Sequence, residues 1–394
     1  MQIGSGGAMR GTTVPVTGAV LKWAIDKSGY STEELCARLK IEPATLQAWI
    51  DETEQPGLTK FKDLAAQLHR PPAILLLAEP PRAEARKIEF RHPITRTREF
   101  LRENELSKIR EVRRLQGTLS WTRRELGVQK PEIPVFSSAS DPESAAESMR
   151  KKLGIDHATQ VAFQSDSIAV KAWRAALEGL GVLAFQLPLG ADGVRGFSLW
   201  DEYAPAVVFS SAWPETVRVF SMLHELGHLL TRSDSACHDI GRAQIRTKAE
   251  DEHERWCDRF AAAVLLPWSL VQATIRSELG GNTVRIQDYG QARTLARKLN
   301  VSVTATILRL IDRGVARWDL YESIPRNIEE KKRGGGGGGR NRLEIRRDEY
   351  GQAVAAGFVA ALKEELITRD DAMGYLKISH TDLRAVEAAG GKFA

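Results

Sequence analysis

The sequence predicts a mostly helical α+β protein, and three observations carry that expectation. Apolar residues recur at the three- and four-residue intervals of helices over long stretches, as in 214–231 and 247–267. Only three short runs, VLAFQLPL, VRGFSLW and PAVVFSS, have the β-branched and aromatic content of strands, so the sheet is small. The first domain-sized stretch, 13–78, reads as short helices and tight turns with no strand signal at all.

Length and composition bound the rest. With 394 residues and 42% hydrophobic content, the chain can build two or three small cores. A formal net charge of +5 is too mild to indicate a partner class by itself. Cys36, Cys237 and Cys257 are widely spaced and contain no C-x-x-C pair, which argues against a disulfide framework and for a reducing cytoplasm. No apolar run is long enough to span a membrane. The expected organisation is a disordered lead or tag over 1–12 and a helix-turn-helix domain over 13–78. A basic linker helix (79–130), a catalytic-type domain (131–330), a glycine-rich linker (331–340) and a small helical domain (341–394) follow.

Within 13–78, Val20, Leu21, Trp23 and Ala24 begin one amphipathic helix. Ser31 caps a second, with Glu34 three residues on to complete a capping box. ATLQAWID and FKDLAAQLH follow the break at Pro43. In 82–130, Lys and Arg outnumber acidic residues about two to one, a surface suited to phosphate or simply to water. Leu101, Ile109, Val112, Leu115 and Leu119 mark a long helix there.

The chemistry concentrates in His224-Glu225-Leu226-Gly227-His228. On a helix, residues four apart share a face with Cβ atoms about 5–6 Å apart. Both imidazoles can then reach one tetrahedral zinc at about 2.0–2.1 Å, and Glu225 can face the water in the open position. Such a zinc lowers the pKa of its water to about 7, so a neighbouring carboxylate can take the proton. Two histidines that merely packed in a core would need hydrogen-bond partners and would not require Glu225. Pro214 suits the first turn, and Val217, Phe220, Leu223, Leu226 and Leu230 give the helix an apolar face.

A catalytic zinc keeps three protein ligands, so a third is required. The helix 247–267, ending near Pro267, buries Phe260, Ala261, Val264 and Leu265 and carries Glu254 on the same side. Glu250 shares that side, while His253 and His238 stand on worse phases. Asp258, four residues after Glu254, is placed to accept a histidine N–H.

These residues together resemble the ImmA/IrrE family of zinc metallopeptidases. The likeness rests on the H-E-L-G-H motif, then Glu254-x-x-Cys257-Asp258-x-Phe260-Ala261, then Leu265-Leu266-Pro267. That family typically has alanine, then asparagine or aspartate, where this chain has Cys257 and Asp258. The resemblance covers about 140–320 and implies a zincin-like domain with Zn2+ on His224, His228 and Glu254, and Glu225 as catalytic base. It favours Glu254 over Glu250. It further implies a protein substrate, a transcriptional repressor cleaved to switch on stress or mobile-element genes.

Residues 13–78 resemble the Cro/C1-type (XRE-like) DNA-binding domain, with 43–50 matching its recognition helix. That likeness makes Lys40, Thr45 and Gln47 the DNA-facing candidates and allows a homodimer. Balanced charge and the acidic Asp51-Glu52-x-Glu54 run suit protein docking instead, so a DNA-binding regulator or an antitoxin-like protein stands as the alternative to the endopeptidase. Residues 290–315 spell a second helix pair capped at Ser302. The C-terminal helices are too few to bury a large core alone and are expected to dock on the main body or on a partner.

Overall fold

The computed structural model describes residues 13–26, 28, 30–68, 72–80, 89–91, 103–189, 194–232, 248–280, 285–325 and 341–393. The lead 1–12, the glycine-rich linker and His238 lie outside the described residues, as does most of 79–102. The chain forms two compact units.

The first unit contains α1 (Gly18–Asp26), α2 (Thr32–Leu39), α3 (Pro43–Ile50), α4 (Leu58–Gln67) and a 3-10 turn at Pro72–Leu76. Local chemistry sets these boundaries. Ser31 and Glu34 form the reciprocal capping box, and Lys40 ends α2 in the left-handed conformation. Pro43 opens α3 at a position where its missing N–H is no loss. Leu21, Leu35, Leu46, Trp49, Phe61 and Leu64 close a core of their own.

The second unit begins at β1 (Glu89–Arg91) and takes in α5 (Glu103–Glu125) from Arg110 onward. Next come α6 (Pro142–Leu153), α7 (His157–Val161), α8 (Asp166–Gly179), β2 (Leu183–Leu187), β3 (Gly196–Leu199) and β4 (Ala206–Ser210). Then follow α9 (Glu215–Thr231), α10 (Lys248–Leu265), α11 (Trp268–Leu279), α12 (Tyr289–Leu299), α13 (Val303–Asp312) and α14 (Trp318–Glu322). The last four helices are α15 (Arg342–Tyr350), α16 (Gln352–Lys363), α17 (Arg369–Leu376) and α18 (His380–Ala388).

The sheet runs β1-β3-β4-β2. β3 is antiparallel to both neighbours and β2 is parallel to β4, with Phe197 opposite Val208 and Leu183 opposite Ala206. Every residue of β3 and β4 is buried, as expected for strands covered on both faces. α9 packs on β3 and β4, α8 packs on β2 and α9, and α10 packs on α9 and α6. The helix that reads as amphipathic in sequence is therefore enclosed on nearly all sides: from Val217 to Leu230 only Phe220 escapes full burial. Its histidines and glutamate consequently sit in the interior, not on an open surface.

A Cβ on Gly227 would lie 3.2–3.3 Å from the Cys257 side chain and Cα, so the glycine lets α10 press onto α9 at the level of the histidines. One residue before Cys257 on α10, Trp256 stacks on Phe260 at 5.4 Å between ring centres and donates its indole N–H to Ser140 O at 2.8 Å.

The C-terminal helices dock on the same unit. α15 and α16 pack on β2, and Phe185 meets the Tyr350 ring edge-to-face at 6.3 Å. The Tyr350 hydroxyl donates to Glu111 Oε1 of α5 at 2.7 Å, and Lys377 reaches the same oxygen at 2.6 Å.

Candidate metal centre

α9 and α10 bring four of the expected residues together. His224 and His228, one helical turn apart, aim their Nε2 atoms at a common point, 3.1 Å from each other. Glu254 of α10 meets both: Oε2 is 3.4 Å from His224 Nε2 and Oε1 is 3.6 Å from His228 Nε2. Asp258, one turn further along α10, puts Oδ1 2.9 Å from His224 Nδ1. An aspartate there can accept the Nδ1–H, which leaves the Nε2 lone pair of His224 directed at the cluster.

These distances test whether a metal fits. With bonds of about 2.0–2.1 Å and tetrahedral angles, the ligand atoms of a zinc site stand about 3.3 Å apart. The three donor pairs at 3.1, 3.4 and 3.6 Å bracket that edge. The donor chemistry, two imidazoles and one carboxylate, is also that of catalytic zinc sites. The residues fit the group.

Glu225 is fully buried beside His224. Its carboxylate is against β3: a Cβ on Gly196 would lie 3.0 Å from Oε1 and 3.1 Å from Cγ of Glu225. The glycine thus opens the volume that the carboxylate occupies. Glu250 lies within α10, in the part whose side chains are outside the described residues.

His253 and Cys257 are brought in as well, in a way the spacing did not foretell. His253 Nε2 is 3.1 Å from His228 Nδ1, on the side of that ring turned away from Glu254 and His224. Cys257 Sγ is 3.7 Å and Thr231 Oγ1 3.2 Å from the same nitrogen. Helical phase alone places His253 away from Glu254. That phase is correct, and it is also why His253 meets the second nitrogen of His228.

The candidates for nucleic-acid contact belong to the first unit. Lys40 and Gln47 are exposed and Thr45 is half-buried. The Gln47 amide donates to Asp51 Oδ1 at 2.9 Å, so an acidic neighbour already engages it.

Residues 177–310 match the Peptidase_M78 family model, described as the IrrE N-terminal-like domain. The match runs from the end of α8 into α13, takes in α9 and α10, and supports a metallopeptidase domain of the ImmA/IrrE type over that stretch. No curated protein matches the chain. Among the described residues, no helix is long and apolar enough to cross a membrane.

Proposed function

We propose that this chain is a zinc-dependent, site-specific endopeptidase that acts on another protein. The observation that carries the reading is the donor set of His224, His228 and Glu254 at tetrahedral-edge distances, with Glu225, the residue after His224, buried on the same helix. Two imidazoles and one carboxylate suit zinc better than manganese or magnesium. Bound there, a zinc ion supplies Lewis acidity toward a peptide carbonyl and a lowered pKa for water.

The chain's own residues handle position and protons. Asp258 orients His224 through its Nδ1. Glu225, as general base, takes a proton from the attacking water on a carboxylate oxygen. It passes that proton to the amide nitrogen as the C–N bond breaks, and so ends the cycle ionised again. Burial strengthens this exchange, because fixed dipoles in a dry site act through a lower effective dielectric than water.

The proposed substrate is a Cro/C1-type transcriptional repressor in the cytoplasm, cleaved to derepress stress or mobile-element genes. Support comes from the ImmA/IrrE resemblance and from the Cro/C1-like pattern of 13–78, which suits pairing with a similar domain in the target. A second reading has residues 13–78 and the basic stretch after them binding DNA or a toxin, with the metal domain serving as a sensor. The exposure of Lys40 and Gln47 favours keeping it.

One experiment separates the two. Protein N-termini are compared in a host expressing either the parent chain or Glu225→Gln, with and without stress. A new N-terminus in a repressor-like protein, seen only with the parent, supports the endopeptidase and names its substrate. Identical N-termini under every condition would move the assignment to the binding reading.

A further inference from the structure

His228 has two ring nitrogens, and each has a different neighbourhood. Nε2 faces His224 Nε2 at 3.1 Å and Glu254 Oε1 at 3.6 Å. Nδ1 faces His253 Nε2 at 3.1 Å, with the two ring centres 5.0 Å apart and the planes inclined by 42°. Both rings are buried, so water does not readily replace either partner.

We propose that His253 is the positioning residue for His228: its Nε2 accepts the His228 Nδ1–H and holds the one neutral tautomer whose Nε2 lone pair is free for a divalent metal. The inference rests on the reading that His224, His228 and Glu254 hold that metal. A neutral imidazole has one N–H and one lone pair. If Nε2 of His228 gives its lone pair to a metal, its proton is on Nδ1, and a buried N–H without an acceptor carries the full desolvation penalty of the group. His253 supplies that acceptor when its own proton is on Nδ1. The opposite arrangement, His253 donating from Nε2 to His228 Nδ1, would put the His228 proton on Nε2 and close it to metal.

The neighbours of His253 are compatible with the acceptor role. Thr231 Oγ1 is 3.0 Å from Gly227 O, an acceptor for its single proton, so the hydroxyl need not donate to His253. Cys257 Sγ, at 3.7 Å, is a weak donor at long range. The two ligand histidines are therefore oriented by different chemistry, His224 by a carboxylate and His228 by a second imidazole.

The same atoms admit a rival arrangement. His228, His253 and Cys257 each offer a ligand atom within 4.8 Å of the others. The spacings of 3.1 Å and 3.7 Å lie near the edges of a zinc tetrahedron containing a thiolate, about 3.3 and 3.6 Å. His228 Nδ1 cannot serve both arrangements, since it must either donate a proton to His253 or give a lone pair to a second metal.

Cobalt(II) loading of the full chain decides between them. Affinity is measured by chelator competition, stoichiometry by titration, and thiolate ligation by the near-ultraviolet sulfur-to-cobalt band. The expected result is one equivalent without that band. His253→Phe, which keeps a ring but no acceptor, should lose about 10–100-fold in affinity. His253→Gln, whose amide oxygen can accept, should recover most of it, and Cys257→Ala should stay within about twofold of the parent. Parent-like affinity in His253→Phe overturns the proposal, as does equal loss in His253→Phe and His253→Gln. So does a second equivalent with a sulfur-to-cobalt band that disappears in Cys257→Ala. A parent chain that binds no cobalt instead overturns the underlying metal reading.

Discussion

Gly196 of β3 and Glu225 of α9 approach so closely that a methyl group on the glycine would stand 3.0 Å from Glu225 Oε1 and 2.6 Å from the Val208 carbonyl oxygen. The second distance is to backbone in the middle of the sheet, which has little freedom to yield. An alanine at 196 must therefore displace the strand or push on the Glu225 carboxylate. Misplacing a catalytic group by about 1 Å can cost about 100-fold in rate. Gly196→Ala is expected to lower peptide hydrolysis by about 10–100-fold. Cobalt or zinc affinity should remain within about twofold, because His224, His228 and Glu254 are not touched. Unchanged turnover in Gly196→Ala would show that this contact does not position Glu225.

The Asp258 carboxylate, 2.9 Å from His224 Nδ1, should matter to affinity more than to fold, since the residue is half exposed on α10. Asp258→Ala is expected to weaken metal binding by about 10–100-fold, and Asp258→Asn to recover most of that through its side-chain oxygen. Chelator competition reads both. Equal affinities for parent and alanine variants would leave His224 without need of this partner.

These contacts also mark where sequence reading succeeds and where it stops. The placement of His224 and His228 on one face of α9 is legible because their four-residue spacing coincides with the helical period. Ser31 with Glu34, and Ser302, are legible because a cap is a local bond, and both caps are formed. The meeting of Glu254 and Asp258 with the histidines needs a second helix at a defined distance, which the Gly227–Cys257 contact sets and no single-helix pattern encodes. β1 has three residues within a basic stretch, too few for an alternation to appear. α7 and α14, at five residues each, are likewise shorter than two turns. The packing of α15 on β2 joins segments far apart in sequence, and nothing local announces it.

That long-range contact has a specific fastening. Arg174 of α8 is buried and donates to Ala184 O in β2 and to the carbonyl oxygens of Arg347, Asp348 and Glu349 at the end of α15. Its other neighbour is Glu178, 3.5 Å away, whose carboxyl is pushed up by burial and drawn back by the Arg174 charge. A methionine at 174 would strand the orphaned carbonyls of α15 and leave Glu178 without its cation. Removing one partner of a buried ion pair costs about 3–5 kcal/mol, and Arg174→Met is expected to destabilise by that order. Urea unfolding measures the loss, and protease sensitivity within 341–393 should rise with it. A midpoint equal to the parent's would mean that α15 is held by apolar contacts alone.

Glu143 of α6 gives a pH dependence whose sign can be worked out. Burial by itself would raise its carboxyl, but the bonds from Arg309 at 2.5 and 2.7 Å and from Arg313 at 2.6 Å outweigh it and hold the pKa below the ordinary value. Arg309, itself buried on α13, also donates to Leu266 O at 3.0 Å, so this cluster links α6, α13 and the residue following α10. A carboxyl depressed in the folded state contributes stability that is present above its unfolded pKa, about 4.3, and lost as pH falls through the folded value. Glu143→Gln should therefore cost about 1–3 kcal/mol at pH 7, where the charged hydrogen bonds are lost. The gap between parent and variant should narrow once pH drops below about 4.3, as the parent's own carboxyl takes up its proton. Urea midpoints of the two proteins across that range test the sign. A gap that stays constant from neutral to acid pH would show that Glu143 acts by shape and neutral hydrogen bonding, not by charge.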